Sequence, residues 1–186
     1  MCIELFLSRE EVPKSVILPQ QVHDAAIVDI RTGHEDLHSC DALVTKNREF
    51  SLGIKTADCA PVCFSDGTKI GIAHVGWRGL CLGLIEKMIE QFGSKTLVIY
   101  VAPFLDSFEI QKDFCYEQIT EKFRESFIEH QSDRTLFHFK DVIVSKLPSQ
   151  TLYDSRDIAT SLSFPSHRRN KTDKRFFTIV SFAKNM

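Results

Sequence analysis

Seven short runs bounded by turn residues constrain this chain more than any other feature: QQVHDAAIVDI, DALVT, FSLGIKT, APVCFSD, TKIGIAHVG, KTLVIYVAPF and RFFTIVSF. Their length and their content of Val, Ile and Phe are those of β-strands. Helical periodicity lies between some of them. From Leu80 the apolar residues Leu80, Leu84, Ile85, Met88, Ile89 and Phe92 recur at helical spacing, with Glu86, Lys87 and Glu90 opposite and Gly93 as a stop. Phe114, Ile119, Phe123 and Phe127 form a second helical pattern, and FKDVIVSKL a third that ends before Pro148. Strands that precede, separate and follow helices predict a layered α/β (α+β) fold rather than a helix bundle or a pure β-sandwich.

A chain of 186 residues with 43% hydrophobic content can bury one substantial core. No repeat, low-complexity tract or linker divides it, and TGHEDLHSCD, its most loop-like stretch, is too short to mark a boundary, so residues 1–186 are expected to form a single domain. Basic and acidic residues number 23 and 25, for a net charge of −2, so no global field draws the protein to nucleic acid or an anionic membrane. The N-terminus, MCIELFLSREEVPKSV, has Glu4 inside its apolar run and no basic leader, which predicts neither a signal peptide nor a membrane span, and hence a cytoplasmic protein. The six cysteines are then expected as reduced thiols. Most of the fifteen phenylalanines are expected in the core.

Residues 53–79, GIKTADCAPVCFSDGTKIGIAHVGWRG, place a thiol, an imidazole and a guanidinium beside the only tryptophan. Ile70, Ile72 and His74 share one face of a strand, and His74 falls near its end, where Gly76 and Gly79 let the chain turn. Arg78 beside the start of the Leu80 helix suits phosphate or carboxylate. Cys59, between TAD and Pro61, is presented at an element's end, where nearby cations or a zinc ion favour thiolate. His23, expected on a Val-flanked strand, is a third candidate: His23, Cys59 and His74 are donors of the types zinc prefers, leaving a fourth position open. No compact ligand signature is present, and a strand histidine or a free cysteine is commonly part of a core, so spacing alone leaves packing and chemistry both open. Cys2, Cys40, Cys63, Cys81 and Cys115 read as structural, and His34, His38, His130 and His138 as surface residues.

Four motifs in order, PQQVH, DALVT, TADCAPV and AHVGWRGL, resemble the polyphenol-oxidase (laccase-like) family of bacterial proteins, whose members are regarded as zinc-dependent purine nucleoside phosphorylases. HFKDVIVSKL and FPSHRRNKTDKRFF extend the similarity more weakly. The resemblance implies metal ligands at His23, Cys59 and His74. It also implies sheets sandwiched between helices, in a fold similar to that of putative cysteine hydrolases of the cytotoxic-necrotizing-factor type. The activity it implies is phosphorolysis of adenosine, inosine, guanosine and methylthioadenosine, with adenosine deamination as a second reaction. The chain departs from the family pattern in a short N-terminal arm, with 22 residues before His23, in His167 where a tyrosine is usual, and in Arg156 and Asp157 where Cys-Thr is usual.

Phosphorolysis needs a cationic clamp on phosphate and an electrophile or acid for the departing base. Arg78, with Arg168 or Arg169, is the expected clamp, zinc the electrophile, and Asp58 a proton-transfer or ligand-supporting group. The plain alternatives are a solvated turn for Arg168 and Arg169 and a turn carboxylate for Asp58. Three other functions stand beside this one: a metal-free cysteine hydrolase or deamidase using Cys59 and His74, copper-dependent phenol oxidation, and a non-catalytic nucleoside-binding relative.

Overall fold

The computed structural model describes residues 1–93, 96–111 and 114–183. In chain order, β1 (Cys2–Phe6), β2 (Val16–Ile17), β3 (Ile27–Asp29), β4 (Ala42–Thr45), β5 (Ser51–Thr56), β6 (Ala60–Ser65) and β7 (Ile70–Val75) lead into α1 (Trp77–Cys81) and α2 (Leu84–Glu90). Then follow β8 (Val98–Val101), β9 (Phe108–Ile110), α3 (Phe114–Lys122), β10 (Ile128–His130), β11 (Thr135–Phe137), α4 (Phe139–Lys146), β12 (Leu152–Tyr153), α5 (His167–Asn170) and β13 (Phe176–Ser181). Among the described residues the strands form a six-stranded sheet of order β12-β8-β6-β7-β4-β3, a four-stranded sheet of order β1-β13-β5-β2, and a small sheet of order β10-β11-β9.

The two-residue period of the strands sorts side chains between layers. Ile70 and Ile72 of β7 join Leu43, Leu52, Ile54, Cys63 and Val180 between the two larger sheets. Ala73 and Val75 of the same strand face the other way, with Val44, Val62 and Phe64, against Leu84, Ile85 and Met88 of α2. Every residue of β6 and β7 is therefore buried, as expected of strands covered on both faces. The molecule is a layered, mixed α+β structure, the class predicted above.

Local departures from the sequence expectations have identifiable causes. The helix expected from Leu80 to Phe92 is broken: α1 already starts at Trp77, and Gly83, at φ +74°, separates it from α2. That left-handed conformation suits a residue without Cβ. Arg78 thus lies within a helix rather than ahead of one. The run beginning QQVH is not strand until Ile27, and His23 sits in a bend at φ +63°. The N-terminal apolar run is strand β1, antiparallel to β13 from Cys2↔Ser181 to Phe6↔Phe177. Lys95, which starts the run KTLVIYVAPF, lies outside the described residues. No helix among the described residues is long and apolar enough to cross a membrane.

Residues 57–59 carry the chain from β5 in one sheet to β6 in the other. Ala60 pairs with Val75 and Pro61 with His74, so Cys59 and the end of β7 meet at one open end of the sandwich.

Candidate metal centre

His74 is the last inward-facing residue of β7. Pairing of Ala42 with Ala73 brings Asp41, the residue before β4, alongside it. The His74 N–H donates to the Asp41 carbonyl at 2.7 Å, and His74 Nδ1 lies 2.7 Å from Asp41 Oδ1. Both side chains are buried, with exposures of 4% and 0%. The same carboxylate accepts the backbone N–H groups of Val22 (3.1 Å), His23 (3.0 Å) and Asp24 (2.8 Å). One buried aspartate therefore fixes one imidazole and shapes the bend that presents the other. These bonds offset the cost of the left-handed backbone at His23, about 1–2 kcal/mol.

The two imidazole rings lie 4.7 Å apart between centroids and are inclined at 75°. Cys59 completes the group: one donor atom each from His23, Cys59 and His74 all fall within 4.8 Å of one another. Gly76 permits this approach, since a Cβ built there would lie 3.1 Å from Cys59 Sγ and 3.4 Å from His23 Cδ2. Burial raises the pKa of the Cys59 thiol, but the His74 and His23 imidazoles outweigh it and bring it down to about 6. Burial likewise opposes charge on His74, yet the Cys59 thiolate and the Asp41 carboxylate raise its pKa to about 9. Without a metal both shifts favour a thiolate beside an imidazolium. Cys63, by contrast, is fully buried in the sandwich core and its pKa is raised by burial alone.

A cavity of about 710 Å³ opens over this group. Besides the three donors it is lined by Trp77 and by the cations Lys55, Arg168, Lys171 and Arg175, together with Asp58 and Asp173. Asp58 does not present its carboxylate to the cavity as a free base. It is buried at φ +84°, Oδ1 accepts Ser166 Oγ–H at 2.6 Å, and Oδ2 accepts the Arg168 N–H at 2.8 Å. It ties the turn that carries Cys59 to the start of α5. Arg168 lies over the Phe108 ring at 3.9 Å and donates to the Glu109 carbonyl at 3.1 Å, at the border with a second cavity of about 560 Å³.

The other expected clamp residues are placed differently. Arg169 directs its guanidinium at the carbonyls of Ile158, Ala159 (3.3 Å) and Phe164 (2.8 Å), bracing the preceding loop. Arg78 stacks near Trp77, 5.3 Å from its ring centre, and lines a separate cavity of about 520 Å³ that also borders His23. His167 lines the main cavity. Arg156 pairs with Asp154 at 2.6 Å, and Asp157 accepts the Asp106 N–H at 3.2 Å.

Sequence reasoning did not single out Asp41, Lys55, Lys171 or Arg175. A signal for Asp41 was there: an acidic residue directly before the apolar run ALVT must either face water or find several donors. For the three cations there was none: Lys171 and Arg175 sit in the charged run NKTDKR, and Lys55 reads as an outward-facing residue of the strand run FSLGIKT.

Solved structures share the fold. A Neisseria meningitidis protein of the DUF152 family superposes with a TM-score of 0.78 at 23% identity, covering 91% of this chain and 75% of its own. The Bacillus licheniformis hypothetical protein YfiH gives 0.76 at 20%, covering 91% and 74%. Among curated relatives, the purine nucleoside phosphorylase of Aquifex aeolicus (strain VF5) is 26% identical over 177 residues, 90% of this chain and 82% of the relative. The purine nucleoside phosphorylase YfiH of Escherichia coli (strain K12) is 24% identical over 182 residues, 91% and 74% of the two chains. One from Staphylococcus epidermidis (strain ATCC 12228 / FDA PCI 1200) reaches 33% over 135 residues, 65% of this chain and 48% of the relative. Residues 3–183 match the family described as multi-copper polyphenol oxidoreductase laccase, and the chain belongs to that family.

Proposed function

We propose that this chain is a zinc-dependent purine nucleoside phosphorylase, acting on adenosine, inosine, guanosine and methylthioadenosine, with adenosine deamination as a second reaction. The observation that carries this is the convergence of His23, Cys59 and His74 within 4.8 Å beside a cationic cavity, in a chain whose curated relatives are named purine nucleoside phosphorylases. Two imidazoles and a thiolate suit zinc, and three protein donors leave one tetrahedral position for water or substrate. Asp41 behind His74 is the supporting carboxylate such sites use. One cysteine and two histidines could also hold a copper ion. Among the described residues, however, this is the only such group of three donors, too few for a multicopper oxidase. A cytoplasmic setting would keep the thiol reduced.

Bound zinc would supply an electrophile for the departing base, or activate water for deamination. The residues of the chain do the rest. Arg168 offers a planar guanidinium at the junction of the two cavities, Trp77 an aromatic wall common to both, and Asp58 holds the Arg168 backbone in place. Arg78 would act from the His23 side.

The test is incubation of zinc-loaded protein with phosphate and a panel of purine nucleosides, scored for free base, with His74→Ala as control. Product lost in that variant is expected; no product across the panel would leave a nucleoside-binding protein without turnover.

A second reading is favoured by one contact. Asp41, His74 and Cys59 stand in the order of a carboxylate, a base and a nucleophile, the arrangement of a cysteine hydrolase or deamidase. Metal analysis of protein purified without added zinc separates the two. Near-stoichiometric zinc that disappears in Cys59→Ala would remove the hydrolase.

A further inference from the structure

We infer that Lys55, Lys171 and Arg175, together with Arg168, form a binding site for a phosphate group in the main cavity. This rests on reading that cavity as a nucleoside site, and it adds to Arg168 three cations beyond Arg78 and Arg169, neither of which lines the main cavity. The four cations come from separate places in the fold: Lys55 from β5, Arg168 from α5, Lys171 from the residue that caps α5, and Arg175 from the residue before β13. All line the cavity that holds His23, Cys59 and His74.

Charge accounting supports an anionic guest. Among the described residues none of the four is in an ion pair. The lining cations outnumber the lining carboxylates four to two, and both oxygens of Asp58 are already engaged by Ser166 and the Arg168 backbone. Like charges gathered in one concave site repel one another and focus a positive potential there, which an anion relieves. A phosphate group matches this donor set. Arg168 and Arg175 each use one Nη on backbone carbonyls, that of Glu109 (3.1 Å) and those of Thr172 (3.1 Å) and Lys174 (2.8 Å), which leaves their remaining guanidinium N–H groups to address its oxygens, while the ammonium groups neutralise it as point charges.

Lys171 adds a second observation. It lies at φ +50°, a conformation that glycine or asparagine adopts more cheaply, yet its side chain borders both the main cavity and the adjoining one. A cavity of about 710 Å³ is within the usual size for a small-molecule site. The phosphate group could be inorganic phosphate or a phosphate ester on the nucleoside itself.

Equilibrium dialysis with radiolabelled inorganic phosphate tests the site without relying on turnover, and parallel arms use adenosine and adenosine 5′-monophosphate. Saturable phosphate binding is expected, weakened about tenfold or more in Lys171→Glu, as for loss of a charge-assisted contact. Lys55→Ala should weaken it in the same direction. Lys174→Glu makes the same change in net charge at a cation lining a different cavity, and should leave binding intact. If the monophosphate displaces phosphate and binds better than adenosine, the site takes an esterified group. If it does neither, the site takes the free anion. Absence of saturable binding of either phosphate compound, or equal losses in Lys171→Glu and Lys174→Glu, overturns the proposal. Phosphorolysis without phosphate binding at this wall would sink this site alone, whereas binding here without phosphorolysis would sink only the phosphorylase reading.

Discussion

Replacing Asp41 separates its packing role from its role in holding two histidines. Its carboxylate is fully buried and accepts four hydrogen bonds, one from His74 Nδ1 and three from the backbone of residues 22–24. In Asp41→Ala the His74 ring loses its partner inside the fold, while the three amides belong to an exposed bend that water can reach. Counting the buried, charge-assisted bond in full and the amides at a fraction gives a loss of about 3 kcal/mol. For a chain of this length that lowers Tm by about 6–12 °C. Asp41→Asn keeps the volume and one acceptor oxygen for His74, but turns an NH₂ toward backbone N–H donors. It should therefore melt closer to the parent protein while still disturbing the bend at His23. On the proposed metal reading, both variants bind zinc more weakly, about 10- to 100-fold for loss of a ligand's supporting carboxylate. Competition against a chelator measures the affinity, and thermal melts followed by circular dichroism measure stability with and without metal. Zinc affinity in Asp41→Asn equal to that of the parent would refute the claim that this carboxylate orients the ligands.

Three further outcomes follow from the same geometry. In metal-stripped protein, alkylation of Cys59 by iodoacetamide, followed by peptide mass mapping, should stay fast as pH falls and drop only through about pH 6; a midpoint near the ordinary thiol value of about 8.5 would contradict the thiolate–imidazolium pair. Gly76→Ala sets a methyl group 3.1 Å from Cys59 Sγ, so it should reduce zinc affinity while secondary structure is retained; unchanged affinity would show that the site has room to relax. Gly53→Ala places Cβ 2.5 Å from Ile179 Cδ1 and 2.8 Å from Leu18 Cδ2, residues that do not line the cavity over the metal group, and should cost about 1–3 kcal/mol by overpacking, read as a lowered denaturant midpoint with zinc binding preserved.

The periodicity of the chain was enough to place β4 through β8, β13, α2 and α4, because each run carries its own pattern of burial within a few residues. It also named His23, Cys59 and His74, through residue chemistry and four short motifs. What it misplaced was local geometry set by distant partners. His23 looked like strand because Val22 and Ala25 flank it, but the Asp41 carboxylate, 18 residues away, gathers the amides that a strand would have paired. Asp58 could be read as a proton carrier, a ligand-supporting group or a turn carboxylate, and what its oxygens do was set far away, by Ser166, 108 residues on, and by the Arg168 backbone. Arg168 and Arg169 are neighbours with one sequence context and different surroundings: Arg168 lines the cavity with one Nη on the Glu109 carbonyl, while the Arg169 guanidinium is spent on three loop carbonyls. Sequence by itself thus determined the strands and helices whose own apolar pattern is strong, and which side chains can bind a metal. Tertiary structure alone decided which charges converge on the cavity and which are already satisfied, because hydrogen bonds and ion pairs across the sandwich join residues whose local patterns carry no trace of each other.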